Sequence, residues 1–276
     1  MVELSPGFTL IDGQPCTELN VRDRGLAYGD GLFETLRVAQ GRIPLLEQHL
    51  ARLSRGADRL HIACDTRLLA QELSQLALQL GGGILKLILT RGDGQRGYAL
   101  PKPQRPRRIV QVAALPAYPP AHAEQGVCLY PCATRLGQQP LLAGIKHLNR
   151  LEQVLARAEW DDPAYAEGLV CDQQGAPVEC TVSNLFLRYQ GGWLTPALDQ
   201  CGVQGVMRDY LCTQLDAVGQ PVGVRPVTQA ELLASSEVFC CNSVFGVWPV
   251  IGLGSQQWSI GPHTRQAQAL AQQVLL

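Results

Sequence analysis

The feature that most limits how this chain can fold is a proline-rich run near its middle, Leu115-Pro116-Ala117-Tyr118-Pro119-Pro120. Its prolines have no N–H to give to a ladder and hold the backbone extended, so neither a helix nor a central strand can pass through it. The run predicts a linker over 115–121, between an N-terminal domain of 1–114 and a C-terminal domain of 122–276. With 276 residues, the chain is long enough for two cores or one large one.

Each half carries its own punctuation. Phe8-Thr9-Leu10-Ile11 followed by Asp12-Gly13 predicts a hairpin. Residues 32–38 read as a strand, with Ala39-Gln40-Gly41-Arg42 as its turn. Helical spacing runs over 44–60 and 66–80, and Gly81-Gly82-Gly83 stops the second helix. Strands follow at 84–90 and 108–114. Beyond the linker, strands are expected near 127–131, 167–171, 184–189 and 237–242, and helices near 148–159, 205–218 and 262–274. Hairpins and helices without regular βαβ alternation indicate α+β. No G-x-G-x-x-G follows a strand, which argues against a dinucleotide fold.

Bulk properties narrow the function. The net charge is -1, so there is no electrostatic footprint for nucleic acid. The short basic run Arg105, Arg107 and Arg108 is interrupted by Pro106 and reads as a solvated loop. The ten cysteines include no C-x-x-C pair, so zinc-ribbon and thioredoxin motifs are not supported and no metal is expected. Adjacent Cys240 and Cys241 are expected to face opposite sides of a strand. The opening MVELSPGFTLIDG lacks a secretion pattern, and no run of about 18 apolar residues is present to span a bilayer. The expectation is a cytoplasmic protein with reduced thiols.

The chain has only three lysines, Lys86, Lys102 and Lys146, so chemistry that needs an amine has three candidates. Lys86 alternates with Ile84 and Ile88 in a strand, and Lys102 lies between prolines in a loop. Lys146 follows the apolar lead-in Leu141-Leu142-Ala143-Gly144-Ile145 and precedes a helix. Desolvation there would lower its pKa, as a Schiff-base nucleophile requires. The alternative is a lysine at a helix start, which the macrodipole disfavours. Glu179, in Pro177-Val178-Glu179-Cys180-Thr181-Val182-Ser183-Asn184, suits a buried acid facing a cofactor, or an ordinary turn acid. Gly202-Val203-Gln204-Gly205-Val206-Met207 runs from a glycine turn into a helix, a common arrangement that also suits an anion. The charged, glycine-rich stretch from Arg22 to Arg37 reads either as a loop lining a site or as a charged turn.

Taken together, these segments resemble the fold-type IV pyridoxal-phosphate (PLP) enzymes: branched-chain aminotransferases, D-amino acid aminotransferases and aminodeoxychorismate lyases. D-R-G-L-A-Y-G-D-G-L-F-E-T-L-R is similar to their N-terminal signature, and the order of motifs matches along nearly the whole chain. L-A-G-I-K-H-L-N-R-L-E-Q and R-G-D-G-Q-R-G-Y resemble the lyase branch. Glu34 after Phe33 is instead transaminase-like, where some lyases carry Thr.

The resemblance implies an α+β, two-domain, D-amino acid aminotransferase-like fold, with a smaller N-terminal α/β domain and a larger mixed C-terminal domain that binds PLP. It implies Lys146 as the Schiff-base and catalytic lysine, Glu179 beside the pyridine nitrogen and Asn184 near the ring. Arg52, the backbone of Val206 and Met207, and Ser243 would hold the phosphate, with Tyr165 near the phenolic oxygen. Arg91 and Arg96 are expected on the substrate carboxylates, with Tyr28 and Tyr98 adding hydrogen bonds, while His147 is expected to be structural. The implied reaction is cleavage of 4-amino-4-deoxychorismate to 4-aminobenzoate and pyruvate in folate biosynthesis, by a homodimer with no nucleic-acid or membrane partner. The alternatives are a D-amino acid or branched-chain transaminase and a non-enzymatic PLP-fold module.

Overall fold

The computed structural model describes residues 4–275, so the first three residues of the opening MVELSPGFTLIDG lie outside the described residues. Two compact units are formed. The first comprises Met1–Pro116, Ile145–Asn149 and Leu275–Leu276, and the second Ala117–Gly144 and Arg150–Val274.

In the first unit, β1 (Thr9–Ile11) and β2 (Gln14–Pro15) form the expected hairpin, with Ile11 opposite Gln14 across Asp12-Gly13. Both turn residues have positive φ, 51° and 82°, as a two-residue turn of this hand requires. The short helix α1 (Arg24–Tyr28) leads into β3 (Gly31–Val38). Helices α2 (Leu46–Leu60) and α3 (Thr66–Leu80) follow, then β4 (Gly83–Thr90) and β5 (Arg107–Ala113). The sheet order is β2-β1-β5-β4-β3, and each neighbouring pair is antiparallel. Leu32, Glu34, Leu36 and Val38 of β3 are all buried, as the strand period requires of one face, so Glu34 is a charged residue within an apolar row.

In the second unit, α4 (Ala121–Glu124) and β6 (Val127–Leu136) precede α5 (Leu151–Arg157). Next come β7 (Tyr165–Asp172), β8 (Pro177–Cys180), β9 (Asn184–Tyr189) and β10 (Gly192–Pro196). The chain ends with α6 (Val206–Ala217), β11 (Val222–Arg225), α7 (Gln229–Leu233), β12 (Glu237–Asn242), β13 (Gly246–Leu253), β14 (Gln256–Gln257) and α8 (Pro262–Leu275). The sheet runs β11-β10-β9-β12-β13-β6-β7-β8, and an added β8–β9 pairing, Glu179 opposite Asn184, closes its central strands into a ring. Cys240 and Cys241 are both fully buried, so β12 has core on both of its faces.

Two expectations are revised. The helix expected at 148–159 begins only at Leu151 and ends at Arg157. Tertiary pairing holds the preceding residues: Leu148 N–H donates to Gly31 O at 3.0 Å, and Asn149 Nδ2 donates to Gly29 O at 3.1 Å. The same pairing places Ile145–Asn149 in the first unit, whereas the sequence division assigned them to the second. Phe33 N–H donates to Lys146 O at 2.9 Å, and His147 bridges to Leu32, so the lysine-bearing segment runs along β3.

Candidate functional site

In the first unit, Lys146 is half-buried, with its ammonium 4.4 Å from the centroid of the Phe33 ring. Lys86 and Lys102 are exposed, so Lys146 alone of the three lysines is partly desolvated. One residue beyond Phe33, Glu34 accepts from Arg52 Nε at 2.8 Å and from Arg52 Nη2, a two-pronged pairing of guanidinium with carboxylate. His49, one helical turn before Arg52 on α2, meets the same carboxylate through Nδ1 at 2.7 Å. Burial pushes the Glu34 carboxyl up, but the Arg52 charge and the bonds from His49 and Arg52 outweigh it and bring it down to about 2. Burial likewise drives His49 below the usual imidazole value, outweighing the pull of Glu34.

The sequence alone does not assemble this trio: it points to Arg52 by itself, to Glu34 only as a departure from the lyase pattern, and gives His49 no role. A legible signal was the carboxylate in an otherwise apolar row of β3, which demands a buried cationic partner.

The expected substrate residues fare differently. Arg91 is buried and its guanidinium is occupied. It bonds Asp30 through Nε at 2.7 Å and Nη2 at 2.8 Å, and the carbonyls of His61 at 2.8 Å and Leu60 at 2.7 Å. With its fork committed to Asp30, Arg91 supports the loop rather than offering itself to a substrate carboxylate. Asp30 also accepts from Arg24 Nε at 2.8 Å. Burial pushes Asp30 up, and Arg91 and Arg24 together pull it below the usual range. Arg24 Nη1 donates to Gly97 O at 3.0 Å and so anchors the loop that carries Arg96 and Tyr98. Arg96 and Tyr98 are exposed. The Tyr28 hydroxyl accepts from Gly97 N–H at 3.3 Å, and the Tyr28 ring lies 5.5 Å from that of Tyr98.

In the second unit, Glu179 is buried on β8. Its Oε2 accepts from Val203 N–H at 2.8 Å and its Oε1 from Gln153 Nε2 at 3.4 Å. Arg150 is pushed down by its own burial and drawn back up by Glu179 and Glu152. Asn184, opposite Glu179 in the ladder, donates from Nδ2 to Val203 O at 2.9 Å. The loop after Gly202 is thus tied to both β8 and β9.

Gly144, two residues before Lys146, bonds Gly202 O at 2.9 Å through its N–H and accepts from Gln204 N–H at 3.1 Å. The same loop ends at Gly205, the N-cap of α6, where no side chain caps the helix. Val206 and Met207 supply the first N–H groups of α6, which have no partner within the helix and aim along its positive end. A Cβ on Gly205 would fall 1.9 Å from Asn184 Oδ1, so only glycine leaves room here. Ser243 lies half-buried in the turn after β12. Tyr165 begins β7, with its ring edge-on to Tyr130 at 5.3 Å.

Sequence reasoning also missed Glu167, buried on β7. It accepts from Thr181 Oγ1, from Ser183 Oγ at 2.6 Å, and from the N–H groups of Thr181 at 3.1 Å and Val182 at 3.0 Å. Burial nevertheless keeps its pKa raised. Its bonds fix the turn between Glu179 and Asn184, a supporting role. Among the described residues, no group of three or more His, Cys, Asp or Glu residues is placed to hold a metal.

Taken unit by unit, the donor chemistry suits a phosphorylated aldehyde with a basic ring nitrogen: the first unit holds a half-buried amine and a buried guanidinium, and the second a buried carboxylate and a helix N-terminus without a side-chain cap, kept open by a required glycine.

Known proteins are similar to this chain over most of its length. Residues 31–253 match the amino-transferase class IV family. An aminodeoxychorismate lyase from Vibrio harveyi is 36% identical over 263 residues, covering 94% of this chain and 97% of its own. A putative branched-chain-amino-acid aminotransferase from Methanocaldococcus jannaschii is 30% identical, covering 84% of this chain and 82% of its own. The crystal structure of 4-amino-4-deoxychorismate lyase from Pseudomonas aeruginosa superposes with a TM-score of 0.95 at 53% identity, covering 97% of this chain and 99% of that one.

Proposed function

Since this chain belongs to the class IV aminotransferase family, whose members depend on PLP, we propose that it converts 4-amino-4-deoxychorismate to 4-aminobenzoate and pyruvate. The observation that carries this reading is the 53% identity to the Pseudomonas aeruginosa lyase over 97% of the chain. The likeness to transaminases is weaker, at 30% for the Methanocaldococcus jannaschii relative.

When bound, PLP supplies an aldehyde that captures the substrate amine and a pyridinium ring that withdraws electron density from the carbon bearing it. Lys146 is the residue that would carry the cofactor. Its Nζ, shielded on one side by Phe33, then takes the proton from the amine-bearing ring carbon of the substrate and returns a proton to the departing enolpyruvyl methylene. Glu179, held by Val203 and Gln153, is the carboxyl that the ring nitrogen would face. Asn184 holds the loop beside it through Val203 O. Arg52, the N–H groups of Val206 and Met207, and Ser243 would bind the phosphate, with Tyr165 near the phenolic oxygen. Arg96 remains the arginine for a substrate carboxylate, since Arg91 is engaged by Asp30, and Tyr28 and Tyr98 flank the same loop.

The wider setting belongs to the same proposal: a cytoplasmic homodimer in folate biosynthesis. Every cysteine is a free thiol, which suits a reducing compartment. Among the described residues, no helix is long and apolar enough to cross a membrane. Leu151, Val154 and Leu155 leave an apolar face of α5 exposed, at 75%, 59% and 60%, as a subunit contact requires.

The test is a product assay on enzymatically made substrate. Equal release of 4-aminobenzoate and pyruvate is expected, with both lost, together with the cofactor absorption band, in Lys146→Ala. Keto acid formation from a D-amino or branched-chain amino acid, without 4-aminobenzoate, would identify a transaminase instead.

A further inference from the structure

His49 is 0% exposed, and only one of its ring nitrogens is used. Nδ1 meets Glu34 at 2.7 Å, whereas Nε2 is buried with no hydrogen-bond partner. The charged groups facing this ring are Glu34 of β3, Arg52 of its own helix, and Lys146 of Ile145–Asn149. With Glu34 ionised and His49 driven neutral by burial, the ring proton sits on Nδ1, and Nε2 is a lone pair left unsatisfied. An unpaired buried acceptor costs about 1–3 kcal/mol, so its retention calls for a use.

Charge balance supplies one. Glu34 and Arg52 sum to zero, so a phosphate dianion arriving at Arg52 meets a guanidinium whose charge is already matched. Histidine is the side chain whose charge changes near neutrality, and a nearby anion raises its affinity for a proton.

We infer that His49 is a further residue of the phosphate site, taking up one proton at Nε2 when a phosphate dianion binds beside Arg52. The imidazolium then donates from both nitrogens, to Glu34 and to the anion. This rests on Arg52 being the phosphate arginine.

The first test is the ring 15N shifts of His49 in the full chain, with PLP bound and after its removal. An imidazolium pattern is expected with cofactor and a neutral Nδ1–H ring without it. The same charge state in both forms overturns the inference. The second test uses sulfate on the cofactor-depleted chain, because sulfate stays a dianion across the range. Its affinity should fall as pH rises, by up to about tenfold per pH unit, through the range between the free and anion-bound His49 pKa values, as uptake of one proton requires. His49→Gln should bind sulfate more weakly and with a flat profile. A slope that persists in His49→Gln, or none in the unmutated chain, overturns the role of His49. Arg52→Ala separates the two readings: unchanged sulfate affinity there removes Arg52 from the phosphate site. A loss in Arg52→Ala without any pH slope in the unmutated chain removes only His49.

Discussion

Glu34 shares one face of its strand with Leu32 and Leu36, where a carboxylate survives only with partners. Glu34→Ala leaves the Arg52 guanidinium buried without its counter-charge, and a loss of about 3–5 kcal/mol is expected in urea unfolding. The pH dependence follows from the direction of the shift. The folded-state pKa is lowered to about 2 from 4.5, so the stabilisation is complete above the unfolded value. It is lost as pH falls through that window, and acid titration of the unmutated chain should steepen there relative to Glu34→Gln. Sequence singles out Lys146 and Glu179 as candidates, because an apolar lead-in and a carboxylate before a strand are local signals; the structure makes Lys146 half-buried and Glu179 buried. Glu34 with Arg52, and Arg91 with Asp30, were not legible as pairs. Their partners lie 18 and 61 positions apart, and only the tertiary fold, α2 packed on β3 in one case and the ends of paired β3 and β4 in the other, brings them into contact.

At the scale of elements, the N-terminus of α6 depends on Gly205. Gly205→Ala forces its Cβ against Asn184 Oδ1, which stands 1.9 Å away, and so strains the Asn184 bond to Val203. The expected result is an apparent PLP dissociation constant raised by roughly tenfold or more, about 1.4 kcal/mol, in equilibrium titration. The fold of the chain should persist by circular dichroism. Asn184→Ala should weaken PLP in the same direction. Strands and helices with clean periods were readable: α3 and β12 were expected over the residues they occupy. The late start of α5 was not, because the pairing of Leu148 and Asn149 with Gly31 and Gly29 is tertiary and overrides the helical spacing.

For the whole molecule, the subunit contact proposed above is the exposed apolar face of α5. Leu151 and Leu155 are 75% and 60% exposed, one helical turn apart. The double substitution Leu151→Glu and Leu155→Glu should convert a dimer of twice 30.0 kDa into a single chain in sedimentation velocity. An unmutated chain that already sediments alone would remove the dimer from the reading.

The two units are interlaced along the chain: Ile145–Asn149 return to the first after Ala117–Gly144 have entered the second. During synthesis the first unit therefore stays open along β3 until residues 145–149 have been made. A fragment ending at Pro116 lacks that closing piece and with it Lys146, so a break in the proline-rich connection would not free an intact half.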